Sequence, residues 1–229
     1  MDISGQVFRR SSRSGMLYVV ISFLMAFALT VTFDLAGRVG TVAQNGASVD
    51  VASLTGYILI PMGALVGLII ATPVFFLFVY DKNAGVLEYL LAVGMTQRDV
   101  FKGYLKAALM LSLLVMVPMV LLNLVLTPSG LLFAAMAGAI SLVTGIADVA
   151  FVTVLMTGFS SMQRRPSGMN SPLGIGAGIV PVFPGLIFGA FLGQAVLWLD
   201  LAIAVAVLVL AVALLLSLDR LIMREKLLP

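Results

Sequence analysis

The chain has 229 residues, 62% of them hydrophobic and only 10% charged, with a net charge of +3; a soluble domain is ~45–50% apolar and ~25% charged, so a water-soluble fold of this size is excluded. It contains no Cys and no His, which removes disulfides, thiolate chemistry, the commonest metal ligands and the usual haem ligands. The basic excess sits in loops beside apolar runs and implies no nucleic-acid partner.

Apolar runs long enough to match the ~30 Å hydrocarbon core of a bilayer recur along the whole chain. They fall at about 16–34, 53–80, 104–127, 131–159, 172–193 and 197–218 and predict an all-α polytopic membrane protein of about six transmembrane helices. Little chain is left over, so residues 1–229 read as a single transmembrane domain.

The first run follows Arg9, Arg10 and Arg13, a pattern that a secretory signal peptide shares. From Met16 to Phe33 it is too long for one, and no clear small-x-small cleavage site follows, so it is expected to be an uncleaved span. Orientation comes from the basic residues. Of the 13 Lys and Arg, all but Arg38 fall on one side when the loops are assigned alternately, and that side is expected to be cytoplasmic, with both termini. Trp198 at one span end and Phe75, Phe76, Phe78 and Tyr80 at another read as interfacial anchors.

The second run leads into Asp81-Lys82-Asn83-Ala84-Gly85, expected to be a polar turn where the chain leaves the membrane. Val86, Leu87, Leu90 and Leu91 then form one apolar helical stripe, with Glu88 and Tyr89 facing elsewhere: a short amphipathic helix outside the bilayer. Gly94 suits its C-terminus, because glycine tolerates positive φ, and Thr96-Gln97-Arg98-Asp99 reads as a capping box opening the next helix. Arg98, Lys102 and Lys106 make a basic stripe running into the third span, and snorkelling toward lipid headgroups accounts for it. Links between bundle helices usually take ~2–8 residues, so the protruding helix is more than a connection requires. Docking of a partner and adsorption on lipid would both produce this pattern.

In the fourth run Ala134, Gly138, Ser141, Gly145 and Asp148 share one face, while Gly63-x-x-x-Gly67 and Gly185-x-x-x-Gly189-x-x-x-Gly193 lie in the second and fifth. Small residues let transmembrane helices approach closely, so these are packing surfaces first and dimer or pathway surfaces second. Asp148 is the only charge well inside a run; an unpaired carboxylate there costs ~2.5–3.5 kcal/mol on insertion scales, so it should face a polar interior. A substrate contact, a proton site and a structural hydrogen bond all remain open for it. Pro61, Pro73 and Pro118 are placed to kink their spans, and Pro181 and Pro184 to break the fifth, a candidate gate.

The segment Asp81-Lys82-Asn83-Ala84-Gly85-Val86-Leu87-Glu88-Tyr89-Leu90-Leu91, followed by Gly94-Met95-Thr96-Gln97-Arg98-Asp99-Val100 and Gly103, resembles the cytoplasmic loop of type-2 (export-type) ABC transporter permeases. Val86 stands where that family usually has Thr, Gly94 where it has Pro, and Tyr104 where it has Lys. The resemblance implies that 81–103 is a coupling loop docking on a separate ATP-binding subunit. Gly85, Leu87, Glu88, Leu90 and Leu91 would occupy the coupling positions, with Asp81, Lys82, Thr96 and Arg98 in the flanking parts of the same loop. Residues 1–15, with Ile3, Val7 and Phe8 as their apolar members, would match the family's interfacial elbow segment.

By the same resemblance the chain is the permease subunit of an ATP-driven exporter in the plasma membrane of a prokaryote, paired with a second copy or a paralogue and surrounded by lipid. No Gly-x-x-x-x-Gly-Lys-Ser/Thr phosphate loop occurs, so ATP and Mg2+ are expected on the partner, with no cofactor, metal or catalytic residue in this chain. A haem-exporter-like permease of cytochrome c maturation has a similar layout. A membrane-embedded enzyme lacks a catalytic constellation, and an assembly or channel subunit without an ATPase is the remaining alternative.

Overall fold

In the computed structural model the described residues are 3–13, 51–126 and 131–158, with isolated helical positions at Met16, Val20, Leu24, Phe27 and Ala28 and between 202 and 216. Outside 84–85 and 93–96 these residues are helical. Helix α1 covers 3–13, α2 Val51–Asn83, α3 Val86–Ala92, α4 Gln97–Leu126 and α5 Leu131–Gly158. Gln97–Leu122 in α4 and Ala135–Val154 in α5 are long and apolar enough to cross a membrane, with 26 and 20 residues. At 1.5 Å per residue they reach about 39 Å and about 30 Å, enough for a ~30 Å hydrocarbon core. A third crossing is obtained if Ile69–Asn83 and α3, whose axes differ by 72°, are taken as one broken span. The run expected at 172–193, most of those at 16–34 and 197–218, and the Gly185/Gly189/Gly193 pattern lie outside the described residues.

Helices α2, α4 and α5 pack against one another in a three-helix bundle. Small residues set how closely they approach. A Cβ at Gly67 of α2 would lie 3.1 Å from the Met116 sulfur on α4 and 3.3 Å and 3.5 Å from Val149 and the Gly145 carbonyl on α5. The Ser112 hydroxyl lies 2.9 Å from both the Gly67 and the Ala108 carbonyl, sharing its proton between its own helix and α2. Such interhelical donors are a usual device where no hydrophobic drive operates between helices. Gly138, Ser141, Gly145 and Asp148 are all buried, so the small-residue face of α5 points into the bundle.

The outward surface is the reverse of a soluble protein's. Met110, Leu114, Val117, Leu121 and Val125 form an exposed apolar stripe along α4, and Leu132 of α5 is 78% exposed. A stripe of this length is stable against lipid or another membrane helix and a liability in water.

At Gly138 the approach is closest, because a Cβ there would meet Val120 Cγ1 at 2.5 Å. A helical valine is held in one χ1 rotamer, so the helix rather than the side chain has to move. Gly138→Ala is expected to destabilise the bundle by about 1–3 kcal/mol, read as a lower unfolding midpoint in detergent. An unchanged midpoint would contradict the α4–α5 spacing.

Two expectations are corrected. Residues 81–83 are not a polar turn; α2 continues through Asn83, and only Ala84 and Gly85 turn, because Asp81 and Lys82 are buried, at 1% and 8% exposure, against other helices. Phe75 and Phe78 are core residues rather than interfacial anchors, since their face of α2 meets the bundle, whereas Tyr80, 64% exposed, keeps an anchor's position. Helix α2 runs unbroken through Pro61 and Pro73, and α4 through Pro118.

Candidate functional site

Helix α3 is a seven-residue helix delimited by two glycines that both need positive φ, Gly85 at 73° and Gly94 at 94°. L-residues pay roughly 1–2 kcal/mol in that region, so these positions set where the helix starts and stops. Its C-terminus is a Schellman motif: Met95 N–H donates to the Leu90 carbonyl at 3.2 Å and Gly94 N–H to that of Leu91 at 3.1 Å. One residue later Thr96 caps α4, its hydroxyl accepting from Asp99 N–H at 3.2 Å and donating to Asp99 Oδ2 at 2.6 Å. The short link is therefore stiff at both ends.

The apolar stripe of α3 is turned inward. Leu87 and Leu90 are buried, with Val86 and Leu91 packed against the same core, while Glu88, Tyr89, Ala92 and Val93 are exposed. Leu87 and Leu90 thus seat α3 on its own bundle. A partner approaching from outside meets Glu88 and Tyr89.

Below α3 an ionic cluster ties three elements together. The Arg10 guanidinium of α1 donates to both carboxylate oxygens of Asp81 at the end of α2, at 2.8 Å and 3.1 Å, and the Tyr104 hydroxyl of α4 donates to Asp81 Oδ2 at 2.6 Å. Bidentate arginine–carboxylate pairing fixes orientation as well as distance. Asp81 is 1% exposed, whereas the Arg10 side chain is 47% exposed, so the pair is dry on one side and wet on the other. Phe78 packs edge-on against the Tyr104 ring, with centroids 5.2 Å apart.

The same helix α1 is anchored a second time. Ile3 and Val7 are buried and Phe8 packs against the core; a Cβ at Gly103 would sit 2.7 Å from Ile3 Cγ2 and 3.0 Å from its Cβ, so only glycine admits Ile3 here. Of the residues singled out in the loop, Asp81 and Lys82 belong to the buried base, Gly85 and Thr96 are turn and cap, and Arg98 is exposed. Arg10 is a neighbour that the loop's local pattern does not reveal, and Gly103 and Tyr104, which belong to that pattern, are not marked by it as partners of Ile3 and Asp81.

Deeper in the bundle Asp148 is fully buried, and neither carboxylate oxygen has a hydrogen-bond partner among the described residues. Gly145 is committed to packing beside Gly67. Pro181 and Pro184 lie outside the described residues. Among the described residues no group of three His, Cys, Asp or Glu side chains is placed to hold a metal ion. The arrangement is a short helix seated on the bundle through Leu87 and Leu90, beside a buried ionic cluster that joins α1, α2 and α4. Comparison with protein-family models, curated proteins and solved structures gives no match.

Proposed function

We propose that this chain is the membrane-spanning permease subunit of an ATP-driven exporter, with about six spans and both termini in the cytoplasm. In this reading α3 is the docking element for a separate ATP-binding chain, and two permease subunits, identical or paralogous, enclose the pathway. The observation that carries the reading is α3 itself. It is set off from the end of α2 by 72°, bounded by two positive-φ glycines, anchored inward through Leu87 and Leu90, and presents Glu88 and Tyr89 outward. A helix held this way moves as one body with α2 and α4, which is what transmission of a push into the bundle requires.

The ionic cluster supports the same reading, because Asp81 links α2 both to α4 through Tyr104 and to α1 through Arg10. ATP binding on the partner would move α3, and the Asp81 cluster would carry that displacement to three helices together. The test is purification of the tagged full chain from native membranes in mild detergent. An ATP-hydrolysing chain that co-purifies in stoichiometric amount is the expected result, and its absence from membranes in which the chain is abundant would overturn the proposal.

A further inference from the structure

A cleft of about 400 Å3 opens between α1 and the first turns of α4, with Ile3 and Ser4 on one side and Asp99, Lys102, Gly103 and Lys106 on the other. Asp99, Lys102 and Lys106 succeed one another at helical spacing along one side of α4, and all three are exposed. Neither lysine is in an ion pair with a described residue. Thr96 occupies Asp99 Oδ2, which leaves Oδ1 to accept from a ligand. The cleft therefore offers two cations and one fixed carboxylate, a pattern suited to a molecule that carries a phosphate and an ammonium together.

The helix surface beyond Lys106 identifies the kind of molecule. Continuing by helical steps along α4, the exposed residues are Met110, Leu114, Val117 and Leu121, an apolar track that starts where the charged cleft ends. A soluble phosphate compound has no use for that track; an acyl chain does.

We infer that this cleft binds the headgroup of an aminophospholipid of the phosphatidylethanolamine type, its phosphate on Lys102 and Lys106, its ammonium on Asp99 and its acyl chains along the α4 track. The inference needs the chain to lie in a bilayer but does not depend on any ATPase partner. Phosphatidylglycerol offers the phosphate without the ammonium, and the Asp99 carboxylate discriminates between the two.

The full chain is reconstituted in nanodiscs with equal parts of the two lipids, extracted, stripped of loosely held lipid, and the retained lipid is quantified by mass spectrometry. The wild type is expected to retain the aminophospholipid over phosphatidylglycerol by about threefold, the scale of one partly exposed ion pair. Asp99→Asn, which keeps an oxygen for the Thr96 hydroxyl, should bring the ratio back to that of the bilayer. Lys102→Ala with Lys106→Ala should lower retention of both lipids. Free phosphoethanolamine should not displace the bound lipid. Equal retention by the wild type, a preference that Asp99→Asn leaves in place, undiminished binding in the double lysine variant, or displacement by phosphoethanolamine would each overturn the assignment; an unchanged unfolding midpoint in the variants shows that they are folded.

Discussion

Asp81→Ala is expected to lower the stability of the detergent-solubilised protein by about 2–3 kcal/mol, the largest effect of any single polar substitution in the loop region. Two losses combine. Tyr104 is 1% exposed, so its hydroxyl, now bonded to Asp81 at 2.6 Å, would be left buried without an acceptor, at about 1–3 kcal/mol. The Arg10 pair adds less, because the arginine is half in solvent and exposed ion pairs contribute ~0–1 kcal/mol. The order expected is Asp81→Ala and Arg10→Ala above Tyr104→Phe: Arg10→Ala leaves the 1% exposed Asp81 carboxylate without its counter-charge, whereas Tyr104→Phe keeps the bidentate Arg10 pair. Unfolding midpoints of the three variants measure it. An Arg10→Ala effect smaller than that of Tyr104→Phe would contradict the burial of the Asp81 carboxylate.

The second large effect concerns Glu88 and Tyr89, and it should leave stability alone. Both are exposed, so on the proposed function Glu88→Lys combined with Tyr89→Ala is expected to keep the wild-type midpoint while cutting recovery of the proposed ATP-hydrolysing partner by at least about tenfold. Loss of a central aromatic anchor and reversal of a facing charge each cost about 2 kcal/mol or more at protein interfaces. Leu87→Ala should behave differently. Leu87 has no exposure, so its truncation should cost about 2–5 kcal/mol of stability and weaken docking only because α3 is unseated. Midpoint and ATPase recovery, measured on the same preparations, separate the anchoring residues from the docking ones.

That division is only half legible in the amino-acid pattern. Spacing places Val86, Leu87, Leu90 and Leu91 on one face, and Gly94 and Thr96 announce a helix stop and the next cap because their conformational and hydrogen-bonding roles are local. Which way the apolar face turns is a tertiary fact: the same stripe serves a lipid surface, a partner or the chain's own core. The end of α2 misleads for a related reason. Asp81-Lys82-Asn83 is a solvated turn by composition, but Arg10, 71 positions away, and Tyr104, 23 away, provide the partners that let a carboxylate be buried there. No local periodicity connects residues so far apart. The signals that do exist are weak ones: opposite charges at Arg10 and Asp81 on the same side of the expected topology, and a Tyr where the resembled loop has Lys. Phe75 and Phe78 show the same limit, since an aromatic near a span end is an anchor or a core residue according to the helix face it occupies.

Asp148 is a buried carboxylate on the inward face of α5. Its oxygens have no partner among the described residues although it is fully buried, and a buried polar group without a partner costs stability. Asp148→Asn keeps the shape and removes the ionisable group.

The absence of cysteine from the whole chain makes the central claim directly measurable. With Ala92→Cys as the sole thiol, at an exposed position of α3 one turn from Glu88, a short thiol-to-amine cross-linker applied to native membranes is expected to join α3 to an ATP-hydrolysing chain, and a membrane-impermeant thiol reagent added outside intact cells should leave the cysteine unlabelled. Labelling from outside, or cross-linking that never captures an ATPase, would contradict the account.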